Sequence, residues 1–447
     1  MRTTKRQRWL SRMLSEHGMV LVLVLLAVFF SVVTWSEQHP TGEAAADVLI
    51  PKIQKEFGTK ARLVIVVRDS ARDVAFANQL QTRLEEKGLA VAGVIKGQPY
   101  EARQAITKLA ESGAAIDAYL CNRPSSIWGI YQRLGAEYPG LKNAKVMRPD
   151  SYYWPNFLKT DNLLNIANQI AVIAIMAIGM TMVIIAGGID LSVGSLIALS
   201  AVVTTRLIRD FGGAEEASAL AMIGSSAAGI ALCALCGLFS GFMVTRFGVP
   251  AFIVTLAMML MASGEAYILS DGQSIAQVPE SFIWLGRGAD LFGIPNAVVL
   301  MLILYGLAHV VMTRMALGRA IYAVGGNAEA ARLSGVPVER VIWIVFTLGG
   351  GLAGLGGVIM ASQLKSGSPT YGQMYELFVI AAVVVGGTSL SGGKGKIFGT
   401  LVGAFIIAVI QNGMNLTGVE SYTQKVVLGA VILAAVLLDR LRKPLQV

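Results

Sequence analysis

Ten apolar stretches constrain the fold of this chain more than any motif does. A helix needs roughly 20 apolar residues to cross the hydrocarbon core of a bilayer. With 54% hydrophobic and 15% charged residues, the 447-residue chain has more apolar surface than one soluble core requires. The sequence therefore predicts an all-α polytopic membrane protein with about ten transmembrane helices, of which the eighth and ninth are short and could tilt or re-enter. The stretches are 18–35, 164–186, 191–208, 218–245, 250–270, 296–313, 341–361, 376–388, 397–411 and 424–438.

The distribution of basic residues predicts how these helices are oriented. Short loops rich in Lys and Arg remain on the cytoplasmic side of a membrane. With the N-terminus inside, fifteen Lys and Arg residues fall in cytoplasmic segments and five in short outer loops. Both termini are therefore expected in the cytoplasm. The net charge of +9 is then explained by topology and anionic lipid, so no nucleic-acid partner is expected.

Between the first two apolar stretches the composition becomes that of a soluble domain, and this insert, residues 36–153, is expected in the periplasm. Its strands alternate with helices, which predicts a parallel α/β sheet. The order resembles one lobe of a periplasmic sugar-binding protein. A docking or sensing module and an insert that merely folds are both compatible with it. The predicted strands are 63–67, 90–95, 116–121 and 144–147, and the predicted helices are 74–87, 100–112 and 125–138.

Residues 187–195 read GGIDLSVGS, a polar break between two apolar stretches. Lipid cannot hydrogen-bond free backbone, so such a break survives only where protein or a water-filled cavity surrounds it. Asp190 can act as an N-cap of the following helix, as a wall of a transport pathway, or as both. The same alternatives apply to Glu376, which opens a later apolar stretch. The predicted translocation-pathway residues are Gly187, Gly188, Asp190, Ser192, Ser195 and Glu376.

Two cytoplasmic loops carry further motifs. Residues 386–396 are rich in glycine and serine, but they fail the spacing of a phosphate-binding loop, so a tight turn is the preferred interpretation. The longest loop, 314–340, contains Asn327 as a plausible N-cap, a short helix and a stop at Gly335 and Pro337. A capped helix in a membrane protein with short loops is a plausible contact for a cytoplasmic partner.

Several long motifs, in the same order, resemble permease subunits of ribose/xylose-type ABC sugar importers. They are WPNFL at 154–158, the segment 162–200 with GGIDLSVGS, GRAIYAVGGN at 318–327 with the AARLSGV that follows, and YEL at 375–377 continuing through GGTSLSGG at 386–393. The resemblance covers about 154–440 and the first apolar stretch. It divides the chain into an N-terminal segment with the first span (1–35), the insert (36–153) and a permease domain (154–447).

The resemblance implies a transport subunit in the inner membrane of a bacterial cell that is not itself an enzyme. It implies a homodimer with one translocation path, two copies of a separate ATPase that holds ATP and Mg, and a periplasmic sugar-binding protein. It implies alternating access by rigid-body movement, and no cofactor or metal site within the chain. The loop helix within 325–337 is expected to contact the ATPase. Its coupling residues are Asn327, Glu329, Ala330, Ala331, Ser334 and Gly335.

Two departures from the family pattern affect these expectations. The insert occupies a position where the family has a short outer loop, and Ser263-Gly264 stands where the family usually has Arg-Gly, followed by Glu265. The docking of a binding protein and the choice of sugar could therefore differ. Two other functions remain as alternatives. A secondary transporter requires coupling carboxylates at the midplane, of which Asp190 is the main candidate, and a membrane-anchored sensor requires the insert for signalling.

Overall fold

The computed structural model describes residues 5–57, 61–113 and 115–442. The basic residues at the two chain ends that support the orientation prediction, Arg2 and Lys443 among them, lie outside the described residues or side chains. The chain forms two compact units. The first combines Met1–Thr34 with Asn156–Val447, and the second is Trp35–Pro155.

The described residues include eighteen α-helices and six strands. The helices are α1 Lys5–Val33, α2 Gly42–Glu56, α3 Ala71–Glu86, α4 Pro99–Glu111, α5 Arg123–Ser126, α6 Ile130–Glu137, α7 Thr160–Ile185, α8 Val193–Phe211, α9 Ala219–Phe247, α10 Ala251–Ser270, α11 Trp284–Arg287, α12 Asn296–Arg314, α13 Ala316–Gly326, α14 Ala328–Leu333, α15 Val338–Leu364, α16 Tyr375–Val385, α17 Ile397–Leu416 and α18 Ser421–Arg442. The strands are β1 Trp35–Gln38, β2 Leu63–Val67, β3 Val91–Lys96, β4 Ala118–Cys121, β5 Lys145–Met147 and β6 Tyr152–Pro155.

Among the described residues, six helices are long and apolar enough to cross a membrane, namely α7, α9, α10, α12, α15 and α17. Shorter apolar helical segments occur at Gly18–Val33, Tyr375–Val385 and Ser421–Ala434. The prediction of a polytopic membrane protein is confirmed at this level, whereas ten spans remain a prediction. Two details are corrected. The ninth predicted stretch forms a full 20-residue helix, α17, and the third begins at Val193 rather than residue 191 because the polar break extends to Ser192.

Helix α7 lies at the centre of the first unit, since nearly all residues of its second half are buried. Close approach of neighbouring backbones depends on glycine. A Cβ on Gly350 of α15 would collide with the carbonyl oxygen of Cys233 on α9, and one on Gly237 of α9 would collide with that of Phe346. Small residues allow membrane helices to gain packing contacts that the hydrophobic effect does not supply within lipid. Glycines at these positions therefore allow the backbones of α9 and α15 to lie in direct contact.

The second unit is a four-stranded parallel sheet with strand order β3-β2-β4-β5. Alternate residues of the central strands pack into two apolar clusters, one including α2 and α3 and the other α4 and α6. The predicted parallel α/β sheet is confirmed. The predicted helix 125–138 is wrong as a single helix, because α5 ends at Ser126 and α6 starts after Gly129. Helix α2 and strands β1 and β6 were not predicted.

Strands β1 and β6 join the two ends of the second unit as an antiparallel ribbon, with Trp35 opposite Pro155 and Gln38 opposite Tyr152. Within the first unit, Thr34 links the flanking chain segments. Its carbonyl oxygen accepts from Asn156 N at 3.0 Å, and its Oγ1 accepts from Phe157 N at 3.1 Å. The chain therefore enters and leaves the second unit at adjacent positions.

Replacing Gly350 by alanine is expected to destabilise the helix bundle. The added Cβ would overlap the Cys233 carbonyl, and overpacking of this kind costs about 1–3 kcal/mol. The adjacent Gly351→Ala is the matched control, because its Cβ would make an ordinary contact with Ala234 Cβ at 3.6 Å. The measurement is the thermal unfolding midpoint of each purified variant in detergent. Equal midpoints for the two variants would contradict the proposed backbone contact.

Candidate functional site

The polar break follows the C-terminus of α7, where a left-handed backbone conformation favours glycine. Helix α7 ends at Ile185, and Gly187 adopts a left-handed φ of +90°. Gly187 N donates to Ile184 O at 3.0 Å and Gly188 N donates to Val183 O at 2.9 Å, which is the Schellman arrangement of a helix C-terminus. The chain then runs without helix until α8 begins at Val193.

Helices α10 and α15 contact the break. Thr255 Oγ1 on α10 accepts from Leu191 N at 3.1 Å and lies 3.2 Å from the carbonyl oxygen of Ile189. A Cβ on Gly188 would lie 3.2 Å from the ring of Phe346 on α15. The non-helical backbone is thus bonded by α10 and packed by α15. This is the condition under which such backbone is tolerated inside a membrane protein.

Asp190 is fully buried within the break. Its Oδ1 accepts from Ser192 N at 2.8 Å and from Ser192 Oγ at 2.6 Å, so the side chain closes a turn two residues ahead of itself. The N-cap position of α8 is Ser192, and the prediction that Asp190 is the N-cap is therefore wrong by two positions. Among the described residues, Oδ2 of Asp190 has no hydrogen-bond partner.

The first turns of α8 and α16 lie against each other. A Cβ on Gly194 of α8 would collide with Oε2 of Glu376 and approach the carbonyl oxygen of Gly372 at 2.6 Å. Glu376 is half-buried and is the second residue of α16, whose N-cap position is Met374. Two helix N-termini, which carry partial positive charge, therefore meet close to two carboxylates, Asp190 and Glu376. Ser195, in the first turn of α8, is half-buried.

A second glycine loop repeats the geometry of the first. Helix α16 ends at Val385, and Gly387 follows it with a φ of +88°. Gly387 N donates to Val384 O at 2.9 Å, and Thr388 N donates to Val383 O at 3.1 Å. Gly392 and Gly393 also have positive φ, so the predicted tight turn is confirmed. This loop contacts the end of α7, because Gly393 N donates to Ile185 O at 2.8 Å.

The end of α13 packs into the same junction. A Cβ on Gly325 would collide with Ile185 O and lie 2.8 Å from Gly393 N. Tyr322 Oη donates to Gly395 O at 2.7 Å. The junction of α13, the end of α7 and the second glycine loop is therefore closed by backbone contacts at Gly325, Ile185 and Gly393.

The short helix α14 follows α13 directly. Asn327 caps it as predicted, since its Oδ1 accepts from Ala330 N at 2.9 Å, and Gly335 ends it with a φ of +83°. Glu329, Ala330 and Ser334 are exposed, as are Asn327 and Gly335. Ala331 differs from these predicted coupling residues because it is 5% exposed and belongs to the apolar core. Leu333, not singled out from the sequence, is 83% exposed.

A cavity of about 170 Å³ lies between α7, α15, α16 and α17. Sequence analysis did not single out its polar residues, although glutamines inside apolar spans are costly and therefore informative. Its walls combine apolar side chains with three glutamines and one tyrosine. The lining residues are Ile166, Gln169, Ile170, Val172, Ile173, Met360, Gln363, Tyr375, Ala408 and Gln411.

In the second unit, the carboxyl edge of the sheet is where α/β folds usually bind ligands. Here its polar side chains are engaged in local contacts. Ser125 Oγ lies 2.7 Å from both Val66 O and Asn122 Oδ1, and Arg68 pairs with Asp73 at 2.8 Å. Burial raises the pKa of the Cys121 thiol to about 12, so it stays protonated and unreactive at neutral pH. These contacts are made within the second unit and do not indicate a ligand for the insert.

Comparison with known proteins identifies the first unit. Residues 162–436 match the family described as the branched-chain amino acid transport system permease component. The chain belongs to this family of ABC permeases. Membership confirms the predicted family resemblance and a transport subunit rather than an enzyme. Together with the six apolar helices it indicates a multi-pass protein of the inner membrane.

Individual relatives cover the permease portion. The ribose import permease protein RbsC of Escherichia coli K12 is 46% identical over 289 residues, which are 64% of this chain and 87% of the relative. The Bacillus subtilis protein of the same name is 43% identical over 314 residues, or 70% and 94% of the two chains. The D-allose transport system permease protein AlsC of E. coli is 40% identical over 285 residues, or 64% and 85%. No solved structure matches the permease.

Replacing Gly325 by alanine in the permease is expected to reduce transport by about tenfold or more, a typical size for the loss of coupling between two sites. The new Cβ would displace Ile185 and the second glycine loop. Gly326→Ala is the matched control, since no heavy atom lies within 4 Å of its Cβ position. The measurement is solute uptake in cells at equal amounts of membrane-inserted protein. Normal uptake by Gly325→Ala would show that the junction tolerates separation.

Proposed function

We propose that the chain is the transmembrane permease subunit of an ATP-driven ABC importer for a monosaccharide or a similar small polar solute. The three relatives described above are named for ribose or D-allose, and they align with this chain over most of their own length. The observation that carries the proposal is this alignment together with the protein-enclosed break at residues 187–195. Non-helical backbone at membrane depth is tolerated where protein surrounds it or where it lines a water-filled cavity, and in many transporters such backbone forms part of the solute site.

In the proposed mechanism, movement of a separate ATPase reaches the pathway through backbone contacts. Helix α14 presents its exposed residues to the ATPase. A movement of α14 displaces α13, which precedes it directly. Gly325 of α13 contacts Ile185, so the displacement reaches the end of α7 and the break that begins at Gly187. Asp190, Ser192 and Glu376 then change position relative to each other, which opens one side of the path and closes the other. This is alternating access by rigid-body movement.

The proposed assembly contains two copies of the permease, two ATPase subunits that hold ATP and Mg, and a periplasmic sugar-binding protein. Both termini face the cytoplasm and the insert faces the periplasm, as the excess of basic residues in the assigned cytoplasmic segments predicts. The exposed apolar side chains on α9, α10 and α12 are then available to lipid or to the second copy. The insert is proposed either to dock the binding protein or to serve no transport role.

The test of this function is uptake by the reconstituted complex. The permease is co-expressed with its cognate ATPase, placed in vesicles and supplied with the binding protein and labelled ribose, D-allose or L-arabinose. Accumulation that requires hydrolysable ATP supports the proposal. Accumulation by the permease alone under an ion gradient would instead support a secondary transporter and refute the proposal.

Within this assay, Leu333→Asp is expected to reduce the coupling of ATP hydrolysis to uptake at least about fivefold. Leu333 is exposed on α14, and an aspartate in its place would bring an unpaired charge into the contact, which costs free energy when it is buried. Leu333→Met, which keeps an apolar side chain, serves as the control. The readout is uptake per ATP hydrolysed. Wild-type coupling in Leu333→Asp would exclude this face of α14 as the docking surface.

Removal of the insert is expected to leave the first unit intact, because each of the two units is compact by itself. Residues 39–151 are replaced by Asn-Gly, which closes β1 and β6 as a two-residue hairpin from Gln38 to Tyr152. The shortened permease is expected to insert and to keep its thermal midpoint. If the insert docks the binding protein, the binding-protein concentration for half-maximal uptake rises; if it has no transport role, that value is unchanged. Loss of membrane insertion would contradict the independence of the first unit.

A further inference from the structure

The cavity between α7, α15, α16 and α17 contains polar groups that the fold itself does not use. Among the described residues, no hydrogen bond is recorded for the side chains of Gln169, Gln411 or Tyr375. Gln363 Nε2 donates to Asn168 O at 3.1 Å, and its amide oxygen has no recorded partner there. Each of these side chains comes from a different helix. Four helices thus direct free donors and acceptors into one space.

Unused hydrogen-bonding groups in a membrane bundle require an explanation. Polar groups in apolar surroundings cost free energy unless they find partners, and structural roles normally supply those partners within the protein. The three half-buried side chains, Gln363, Tyr375 and Gln411, can bond a molecule that enters the cavity. The cavity is large enough to hold water, and a solute with several hydroxyl groups can replace water there by donating to amide oxygens and accepting from amide nitrogens.

The cavity's size and lining restrict the class of solute. Its volume of about 170 Å³ exceeds several times the roughly 30 Å³ that one water molecule occupies in the liquid. The described lining contains no charged side chain. The apolar wall, with Ile166, Ile170 and Met360, suits the carbon-bound hydrogens of a sugar ring, and small-molecule sites typically combine such a wall with a few polar groups. A neutral polyhydroxylated solute fits better than an ion.

We propose that Gln169, Gln363, Tyr375 and Gln411 form a recognition site for a neutral monosaccharide within each permease subunit, a proposal that rests on the proposed import function. The site opens at Gln169, whose side chain is exposed, while the other three are half-buried. Tyr375 is the first residue of α16 and directly precedes Glu376, which contacts α8 at Gly194. A sugar held in the cavity therefore lies next to the junction of α8 and α16, where the proposed pathway residues meet.

The experiment compares substitutions that remove hydrogen bonding with one outside the cavity. Gln169→Leu and Gln411→Leu are each expected to raise the half-saturating sugar concentration for ATP-dependent uptake by about three- to tenfold, the effect of losing one neutral hydrogen bond. Gln273→Leu, on an exposed loop residue that does not line the cavity, is the control and should match the wild type. The probes are labelled ribose, D-allose and L-arabinose.

A second measurement does not depend on the transport rate of the variants. Gln169→Cys is treated from the outside with a membrane-impermeant thiol reagent, and the transported sugar is expected to slow its modification. The wild-type chain is the blank, because Cys121 and Cys233 are buried and Cys236 is half-buried.

The outcomes separate the two proposals. If the wild-type complex takes up none of the sugars with ATP, the import function and this site are both refuted. If it does, and the leucine variants keep the wild-type half-saturating concentration while sugar fails to protect Gln169→Cys, only the site is refuted. An increase in that concentration for the cavity variants alone, or protection by sugar where a leucine variant fails to insert, supports the site.

Discussion

The absence of hydrogen-bonding partners in lipid is the constraint on which the rest of this structure depends. Seven residues, 186–192, lie between α7 and α8, and the polar groups of this segment that the two helix ends do not bond must be bonded by the rest of the protein. Thr255 supplies contacts to Ile189 and Leu191, and Asp190 bonds Ser192. Helices α10 and α15 must therefore pack closely on the break, and glycines at the α7–α15 and α9–α15 contacts permit that closeness.

The same constraint explains why acidic residues occur where the two short helices meet. Helices α8 and α16 both begin after non-helical segments, and Gly194 in the first turn of α8 lies against Glu376 of α16 and against Gly372, which precedes that helix. The amides of a helix's first turn lack partners within the helix and carry partial positive charge. Asp190 and Glu376 place carboxyl groups beside these two helix ends. In the proposed mechanism, separating the two helix ends would expose amides and carboxyl groups together to a polar solute.

The sequence predicted most helices because their apolar length is a local property of the chain. It also predicted the parallel sheet from alternating strands and helices. It could not predict β1 and β6, because WSEQ and YYWP become strands only by pairing with each other across more than a hundred residues. The same limit applies to the recognition cavity, since Gln169, Gln363 and Gln411 lie far apart in the sequence. The sequence placed Ala331 among the residues that contact the ATPase, but its side chain packs into the core. Which face of a short helix turns inward depends on tertiary packing, which the sequence does not reveal.

Backbone contact has a mechanical consequence for coupling between α14 and the break. Side chains can change rotamer and absorb a displacement, whereas the junction of Gly325, Ile185 and Gly393 brings main-chain atoms together with no intervening side chain. Packed interiors respond to small shifts by switching between arrangements rather than by deforming continuously. In the proposed mechanism, a shift of α13 is therefore passed to the end of α7 through these backbone contacts. The break, which is bonded by Thr255 and by the Asp190 turn, is the adjacent element proposed to rearrange in response.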